Sequence, residues 1–220
     1  LDSNGNWKIQ GGDTIIIAPG SYNMGYGAPN TGWCDADGAF ECPLPPLPSG
    51  PDTDHTTRIL GAGWDSGCSN PPELWGTQRS YHIIDLTGTS NAVISCLELT
   101  DHSGCVEFHS NPSGACERDN YPYGDWASAG IYASDSSNVI LRNLNIHGFA
   151  ETGVRAGRIA DWTVEDVRIA ANGWAGWGAG EEKILFYRCY VGVYIGTIFF
   201  RKLFCIGKLF DFSKVVNWKF

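Results

Sequence analysis

A nine-residue phrase recurs along this chain, and it constrains the fold more than any other feature. NVILRNLNI begins at residue 138, and DWTVEDVRI begins at residue 161, which is 23 residues later. NAVISCLEL begins at residue 91, which is 47 residues before the copy at 138 and close to twice the same interval. A period of 20 to 50 residues is typical of stacked structural units that share one continuous core.

The apolar residues of each copy follow the pattern h-x-h-x-x-h-x-h, where h is apolar. Alternation with a period of two predicts a strand with one buried face, whereas a helix would need spacings of three and four throughout. A single strand of this kind cannot bury its face alone, so we expect successive copies to stack at about 4.8 Å around a common core. The positions predicted to point inward are Ala92, Ile94, Leu97, Leu99, Val139, Leu141, Leu144, Ile146, Trp162, Val164, Val167 and Ile169.

Polar residues mark two turns in each copy. Asn91, Asn138 and Asp161 open the three copies at equivalent turns. Asn and Asp tolerate left-handed backbone and hydrogen-bond locally, so stacked turns favour them. A second bend is predicted where two residues separate the apolar positions in the middle of each copy. These pairs are Ser95/Cys96, Arg142/Asn143 and Glu165/Asp166.

A second phrase follows each copy and predicts another strand of the same coil. It reads GCVEFH at 104–109, AGIYAS at 129–134, TGVRAG at 152–157 and AGWGAG at 175–180, and the last three keep the 23-residue interval. The alternation places Val106, Phe108, Ile131, Ala133, Val154 and Ala156 inward. Two outward columns are then predicted, Glu107–Tyr132–Arg155 and His109–Ser134–Gly157.

Three insertions interrupt the repeat, at residues 23–56, 63–80 and 110–128, and they hold most of the cysteines of the repeat region. Six cysteines in and beside such loops suggest disulfide staples in an oxidising compartment. The local pairs Cys34–Cys42 and Cys105–Cys116 are favoured, which leaves Cys68–Cys96, although spacing alone does not fix the connectivity. Cys96 could instead be a small buried residue of the coil.

The end of the chain differs from the rest in composition and charge. Residues 181–220 hold seven Lys/Arg and three Asp/Glu, a net charge of +4, so residues 1–180 carry −13 of the total of −9. The segment ILFYRCYV at 184–191 still fits a further coil, with Ile184, Phe186, Cys189 and Val191 inward, and the pattern fails beyond about 197. Three interpretations stay open for this tail: the out-of-frame or truncated end of a longer β-helix, which we favour, a native capping segment, and a membrane anchor. The uncharged run at 189–200 is shorter than the ~20 residues that a spanning helix needs, so no membrane span is predicted.

These phrases resemble the pectate-lyase-like superfamily, and in particular uncharacterised bacterial members of it. GGDTIIIAPGSY at 11–22 is similar to the first coil of many secreted bacterial members, TRILGAG at 57–63 to the next strand, and SNAVISCLELTDHSGC at 90–105 continues the pattern. The resemblance covers most of 11–180 and implies an all-β, right-handed parallel β-helix that acts on a polysaccharide in an outward-facing groove walled by insertions. The Asp-Asp pair and the Gly-His-Gly typical of polygalacturonase-type members are absent from the chain.

The predicted outward columns supply a candidate active site. β-Elimination on a uronic acid polymer requires neutralisation of the substrate carboxylate, a base and an acid. Arg155 could act as the base or the neutralising group, Tyr132 as the acid, and Glu107 with Asp125 could hold Ca²⁺. His109 lies in the neighbouring column. The loop aromatics Tyr121, Tyr123 and Trp126 are candidates for sugar binding.

We therefore expect residues 1–180 to form a right-handed parallel β-helix, truncated at its C-terminal end, that is secreted or held at the cell surface and is monomeric when intact. Polysaccharide lyase activity is the leading hypothesis. The alternatives are a non-catalytic carbohydrate-binding or structural surface protein and a glycoside hydrolase. The negative charge disfavours nucleic acid as a partner, and it also repels a polyuronate unless Ca²⁺ bridges the two.

Overall fold

The structure is a computed structural model, and it describes residues 1–2, 4, 6–25, 44–76, 80–102, 127–173, 175–178, 184–195, 198–205 and 208–210. The fold is all-β, and fifteen strands in these ranges join one sheet. They are β1 Thr14–Ile17, β2 Ser21–Met24, β3 Thr57–Gly61, β4 Glu73–Gly76, β5 His82–Asp85, β6 Ser90–Asp101, β7 Ala129–His147, β8 Thr152–Ala160, β9 Trp162–Glu165, β10 Arg168–Ala170, β11 Ala175–Gly178, β12 Ile184–Tyr187, β13 Cys189–Ile195, β14 Ile198–Cys205 and β15 Lys208–Phe210. Nowhere in these ranges is there a helix of the length and apolar character that crossing a membrane requires.

The repeated phrases stack on one another in parallel and in register. Ala92 of β6 pairs with Val139 of β7, Ile140 of β7 pairs with Thr163 of β9, and β9 pairs in turn with β12. Because β6 pairs directly with β7, the copies at 91 and 138 lie in adjacent layers of the stack, although 47 residues separate them in the sequence. The predicted first strands at 11–22 and 57–63 are confirmed, since β1 pairs in parallel with β3.

The core lies between the stacked strands, where the repeat predicted it. All twelve residues predicted to point inward from the first phrase are at most 3% exposed. The inward residues of the second phrase that the structure describes are buried as well, namely Ile131, Ala133, Val154 and Ala156. Trp162 and Phe149 are among the largest fully buried side chains, so aromatic residues fill part of this interior.

The turn residues adopt the backbone that the sequence predicted. Asn91, Asn138 and Asp161 have φ values of 55°, 51° and 54°. The second residue of each predicted bend is also left-handed, with φ of 59° at Cys96, 52° at Asn143 and 53° at Asp166. Left-handed backbone costs L-residues roughly 1–2 kcal/mol, which Asn and Asp reduce by local hydrogen bonding.

A disulfide joins Cys68 to Cys96, as predicted, with 5.5 Å between their Cα atoms. The bond fastens the irregular segment 62–72 to the bend of β6. Leu60 of β3 and Ser95 of β6 are register partners whose side chains point away from the core. Each side chain is nevertheless only 2% exposed. Segment 62–72 is shorter than the insertion predicted at 63–80, because β4 at Glu73–Gly76 belongs to the stack between β2 and β6.

The last parallel layer is followed by antiparallel strands. Ile184 pairs with Trp162 and is fully buried, so the parallel strand predicted to begin at 184 is confirmed. Cys189 is buried and not disulfide-bonded, and burial raises the pKa of its thiol. β13 then pairs antiparallel with β14, and β12 pairs antiparallel with β15. The parallel stacking therefore ends where the apolar repeat ends.

Candidate functional site

Tyr132 and Arg155 lie side by side on the outward surface of β7 and β8, as the second phrase predicted. They are register partners, while Ile131 and Val154 beside them point into the core. Tyr132 is half-buried, and the side chain of Arg155 is 49% exposed. Ser134 and Gly157 are register partners too, so the second predicted column is confirmed for these two positions.

The neighbour of Tyr132 on its other side is Asp85, the last residue of β5. The sequence analysis assigned this place to Glu107, and that part of the predicted column is wrong. The backbone N–H of Leu86 donates to the carbonyl of Tyr132 at 2.8 Å and the N–H of Gly88 to that of Ser134, so β5 and its continuation occupy the whole edge of β7 here. The place assigned to His109 beside Ser134 is likewise taken by this continuation of β5. The sequence analysis had aligned the phrase at 104–109, which lies outside the described residues, with the strand at 129–134.

Aromatic and charged groups surround the Tyr132–Arg155 pair. Arg155 Nη1 donates to Tyr81 Oη at 3.1 Å and lies 3.8 Å from Glu151 Oε2. The rings of Tyr81 and Tyr132 are 5.7 Å apart. Tyr81, Tyr132 and Arg155 are called the arginine cluster below. It presents one guanidinium and two phenols on an outward face, groups that can bind a carboxylate and transfer a proton.

Asp85 carries a negative charge beside the arginine cluster. Burial works to raise the pKa of Asp85, but hydrogen bonds from His82 and from Thr87 outweigh it, so the pKa lies below its usual range. His82 Nε2 is 3.4 Å from Asp85 Oδ2, and the Thr87 N–H donates to Asp85 Oδ1 at 2.8 Å. Asp85 is therefore held ionised at neutral pH, and it supplies an acidic group where Glu107 was expected.

Several predicted site residues lie outside the described residues. They are the catalytic candidates Glu107 and His109, the sugar-binding candidates Tyr121, Tyr123 and Trp126, and the calcium candidate Asp125. The predicted disulfides Cys34–Cys42 and Cys105–Cys116 lie outside them as well. Among the residues that are described, no group of three or more His, Cys, Asp or Glu side chains is arranged to hold a metal ion.

A second polar surface, which the sequence analysis missed, runs across β2, β4, β6, β7 and β10. Its outward column consists of register partners on successive strands, and the inward neighbours Leu74, Leu99, Ile146 and Ile169 are buried. Its members in order are Ser21, Glu73, Glu98, Asn145 and Arg168. His102 and His147 join this column through Glu73 and Glu98, and we call Glu73, Glu98, His102 and His147 the Glu–His cluster.

Glu73 is bound by two neighbouring side chains. His102 Nε2 lies 2.9 Å from Glu73 Oε1, and Ser21 Oγ donates to Glu73 Oε2. Partial burial works to raise the pKa of Glu73, but these two hydrogen bonds, together with the charges of His102 and His147, outweigh it and lower the pKa. The imidazole of His102 also stacks on Trp75, with ring centroids 4.3 Å apart.

Glu98 lies beside Glu73 and has a different set of partners. His147 Nε2 is 2.7 Å from Glu98 Oε1, and Asn145 Nδ2 donates to the same oxygen at 3.1 Å. Asn145 is fixed in turn by Arg168, whose Nη1 donates to Asn145 Oδ1 at 2.9 Å. Two carboxylates therefore occupy adjacent places on one partly exposed surface, each oriented by a histidine.

Two other features of the described residues have structural roles. Arg142 binds Glu165 at 2.7 Å, and Arg158 binds Asp135 at 2.6 Å, each pair joining neighbouring layers about 23 residues apart in sequence. A cavity of about 300 Å³ lies among the first layers, and apolar residues such as Ile15, Ile59 and Leu74 line it. Tyr22 also lines it, but its hydroxyl donates to the carbonyl of Ala18, so we assign the cavity to the core.

Comparison with known proteins adds no identification. No protein-family model matches the chain, and neither a curated protein nor a solved structure matches it. The functional argument therefore depends on the geometry of the two surfaces.

Proposed function

We propose that the stacked strands are the coils of a right-handed parallel β-helix of the pectate-lyase-like type, and that the protein is a secreted polysaccharide lyase. The observation that carries this proposal is the arginine cluster. Arg155 and Tyr132 are adjacent on an outward face, and Tyr81 holds the guanidinium at 3.1 Å. The Cys68–Cys96 disulfide is compatible with an oxidising compartment outside the cell.

In this proposal the arginine cluster carries out β-elimination on a uronic acid unit. The guanidinium of Arg155 binds the substrate carboxylate and stabilises the negative charge that develops when the α-proton leaves. A phenol of the cluster protonates the departing glycosidic oxygen. That phenol is Tyr132, whose phenolate form first removes the α-proton, so Arg155 keeps its charge and Tyr81 only holds the guanidinium in place. The products are a shortened chain and a chain with an unsaturated terminal sugar.

In this proposal calcium takes part in the reaction, because the surface around the arginine cluster is acidic. Asp85 and Glu151 flank the arginine cluster, and residues 1–180 carry a net charge of −13. A polyuronate is repelled by such a surface unless a cation lies between them. Oxygen ligands suit Ca²⁺, and Glu107 and Asp125 remain the proposed ligands.

The test is a lyase assay on the full chain. Polygalacturonate, alginate and glucuronan are incubated with the protein, with and without Ca²⁺, and the ultraviolet absorbance of the unsaturated product is followed. We expect a Ca²⁺-dependent rise that Arg155→Ala abolishes, while Arg142→Ala, which removes an exposed arginine from another surface, leaves it intact. No rise on any polymer overturns the lyase, and the alternative is then a carbohydrate-binding or structural surface protein.

A further inference from the structure

We propose that His82 is a positioning residue for Tyr132: it binds the neighbouring carboxylate of Asp85, so that Tyr132 can carry the negative charge that elimination requires. This inference rests on the proposed lyase function and adds to it a residue that does not touch the substrate. His82 is the first residue of β5 and is only 4% exposed, so a polysaccharide on the outward face cannot reach it.

The imidazole of His82 lies against the ring of Tyr132. The two rings are nearly parallel, at 17°, and their centroids are 5.5 Å apart. Tyr81 packs edge-on against His82, with centroids 5.3 Å apart, and also contacts Tyr132. The Tyr132 hydroxyl makes no hydrogen bond to another residue in the described part of the chain, so these ring contacts hold the phenol in place. A change at His82 therefore acts directly on Tyr132.

The Nε2 atom of His82 faces two hydrogen-bond acceptors. It lies 3.4 Å from Asp85 Oδ2 and 3.5 Å from the carbonyl oxygen of Leu44. Because both neighbours accept hydrogen bonds, Nε2 is the ring nitrogen that carries the hydrogen. His82 therefore donates to a carboxylate whose other oxygen accepts from the backbone N–H of Thr87 at 2.8 Å.

The second ring nitrogen of His82, Nδ1, is buried and has no hydrogen-bond partner among the residues that the structure describes. A buried polar atom without a partner is unfavourable. A phenylalanine would fill the same place without this cost. Packing alone therefore does not account for an imidazole here, whereas a donor directed at Asp85 does.

The charges around Tyr132 show what this donor contributes. Asp85 is its register partner, is ionised, and has a side chain only 11% exposed, so water screens its charge little. A carboxylate in this place opposes formation of a phenolate by like-charge repulsion. Arg155 favours the phenolate, but it also lies 3.8 Å from Glu151. A hydrogen bond from His82 offsets the charge of Asp85 and so favours the reactive form of Tyr132.

The experiment measures kcat and KM for elimination on polygalacturonate, alginate and glucuronan. His82→Phe keeps a ring against Tyr132 and removes the donor, so we expect kcat to fall on the order of tenfold. KM should change by less than about twofold, because the buried ring does not bind substrate. His55→Phe is the matched control and should retain the wild-type kcat, since it replaces a largely exposed histidine that binds Asp52.

A second substitution distinguishes loss of charge compensation from disturbed packing. Asp85→Asn in the His82→Phe background removes the uncompensated carboxylate, and kcat should return to within about threefold of the wild-type value. A phenylalanine that only disturbed the packing would not be rescued in this way. If the wild-type protein carries out no elimination, the proposed function and this inference both fail. If it does so and the double variant is not rescued, only the role of His82 is overturned.

A further pair of variants covers the case in which His82→Phe does not fold. His82→Gln and His82→Met introduce side chains of similar length, but only glutamine brings an N–H donor towards Asp85. We expect His82→Gln to keep most of the wild-type kcat and His82→Met to lose on the order of tenfold. Equal values of kcat in these two variants overturn the proposal.

Discussion

Tyr132 and Arg155 are register partners on adjacent parallel strands, although 23 residues separate them in the sequence. Their alignment follows from the repeat, because the buried residues occur at equivalent positions of the two strands and the outward residues between them are therefore aligned as well. Tyr81 reaches the same guanidinium from the chain that leads into β5, at 3.1 Å. A residue from a third layer therefore fixes the orientation of a side chain that the repeat brings to the surface.

Replacement of Tyr81 by Phe tests this orientation. The change removes the hydroxyl that accepts from Arg155 and keeps the ring, so we expect the elimination rate to fall about tenfold, since 1.4 kcal/mol of lost transition-state binding corresponds to that factor. The free energy of unfolding should change by less than about 1.5 kcal/mol. Tyr22→Phe, which removes a hydroxyl bound to the carbonyl of Ala18, is the control. An equal loss of rate in both variants contradicts the assigned role.

Leu141→Ala tests the inward assignment of the first phrase. Leu141 is fully buried in the core, and removing its side chain should lower the free energy of unfolding by about 2–5 kcal/mol. Its neighbour Ile140 points to the other side and is half-buried, so Ile140→Ala should cost distinctly less. Denaturant unfolding followed by circular dichroism measures both. A larger loss for Ile140→Ala means that the strand has the opposite face inward.

Substitution of Asn138 tests whether the turn at this position is left-handed. Its φ is 51°, and alanine adopts this left-handed backbone less readily than asparagine does, so Asn138→Ala should lower the free energy of unfolding by at most about 1–2 kcal/mol. Asn138→Gly should be less destabilising, because glycine adopts positive φ without a steric penalty. Thermal unfolding of the two variants side by side gives the comparison. A glycine variant less stable than the alanine variant argues against the turn.

The fold was largely predictable because a stacked repeat encodes its own register. Once Asn138 and Asp161 were aligned, the inward positions, the turns and the pairing of Tyr132 with Arg155 followed from alternation and a constant interval. Where an insertion changes the number of residues between successive strands, no constant spacing remains from which to align them. The pairing of Asp85 with Tyr132 and of Glu73 with Glu98 was missed for that reason. A signal for the second pair was present, since the dipeptide Glu-Leu occurs both at 73–74 and at 98–99.

Reduction of the Cys68–Cys96 disulfide should destabilise the protein. The bond closes a loop with a sequence separation of 28 residues, and the loss of such a constraint on the unfolded chain corresponds to about 3–4 kcal/mol in the chain-entropy description. The double variant Cys68→Ser/Cys96→Ser isolates this bond from the other cysteines. Its free energy of unfolding should match that of the reduced wild-type protein more closely than that of the oxidised one. If the variant unfolds at the same denaturant concentration as the oxidised protein, the bond does not stabilise the fold.

The lowered pKa of Asp85 predicts that the folded protein loses stability in acid. Burial works to raise its pKa, but the hydrogen bonds from His82 and Thr87 prevail, so the pKa in the folded protein lies below the ordinary value of 3.8. The unfolded chain therefore binds more protons between these two pKa values. The stabilisation is present above pH 3.8 and is lost as the pH falls through the lower, folded-state pKa.

Asp85→Asn should remove this part of the pH dependence. At neutral pH we expect the variant to be less stable than the wild-type protein, because the amide replaces an ionised acceptor of charge-assisted hydrogen bonds. As the pH falls through the acid range, the stability curves of the two proteins should converge. Asp54→Asn, which removes an exposed carboxylate, controls for the change in net charge. The measurement is urea unfolding at a series of pH values, and a constant gap between the wild-type and Asp85→Asn curves down to the lowest pH would show that Asp85 is not held ionised by its partners.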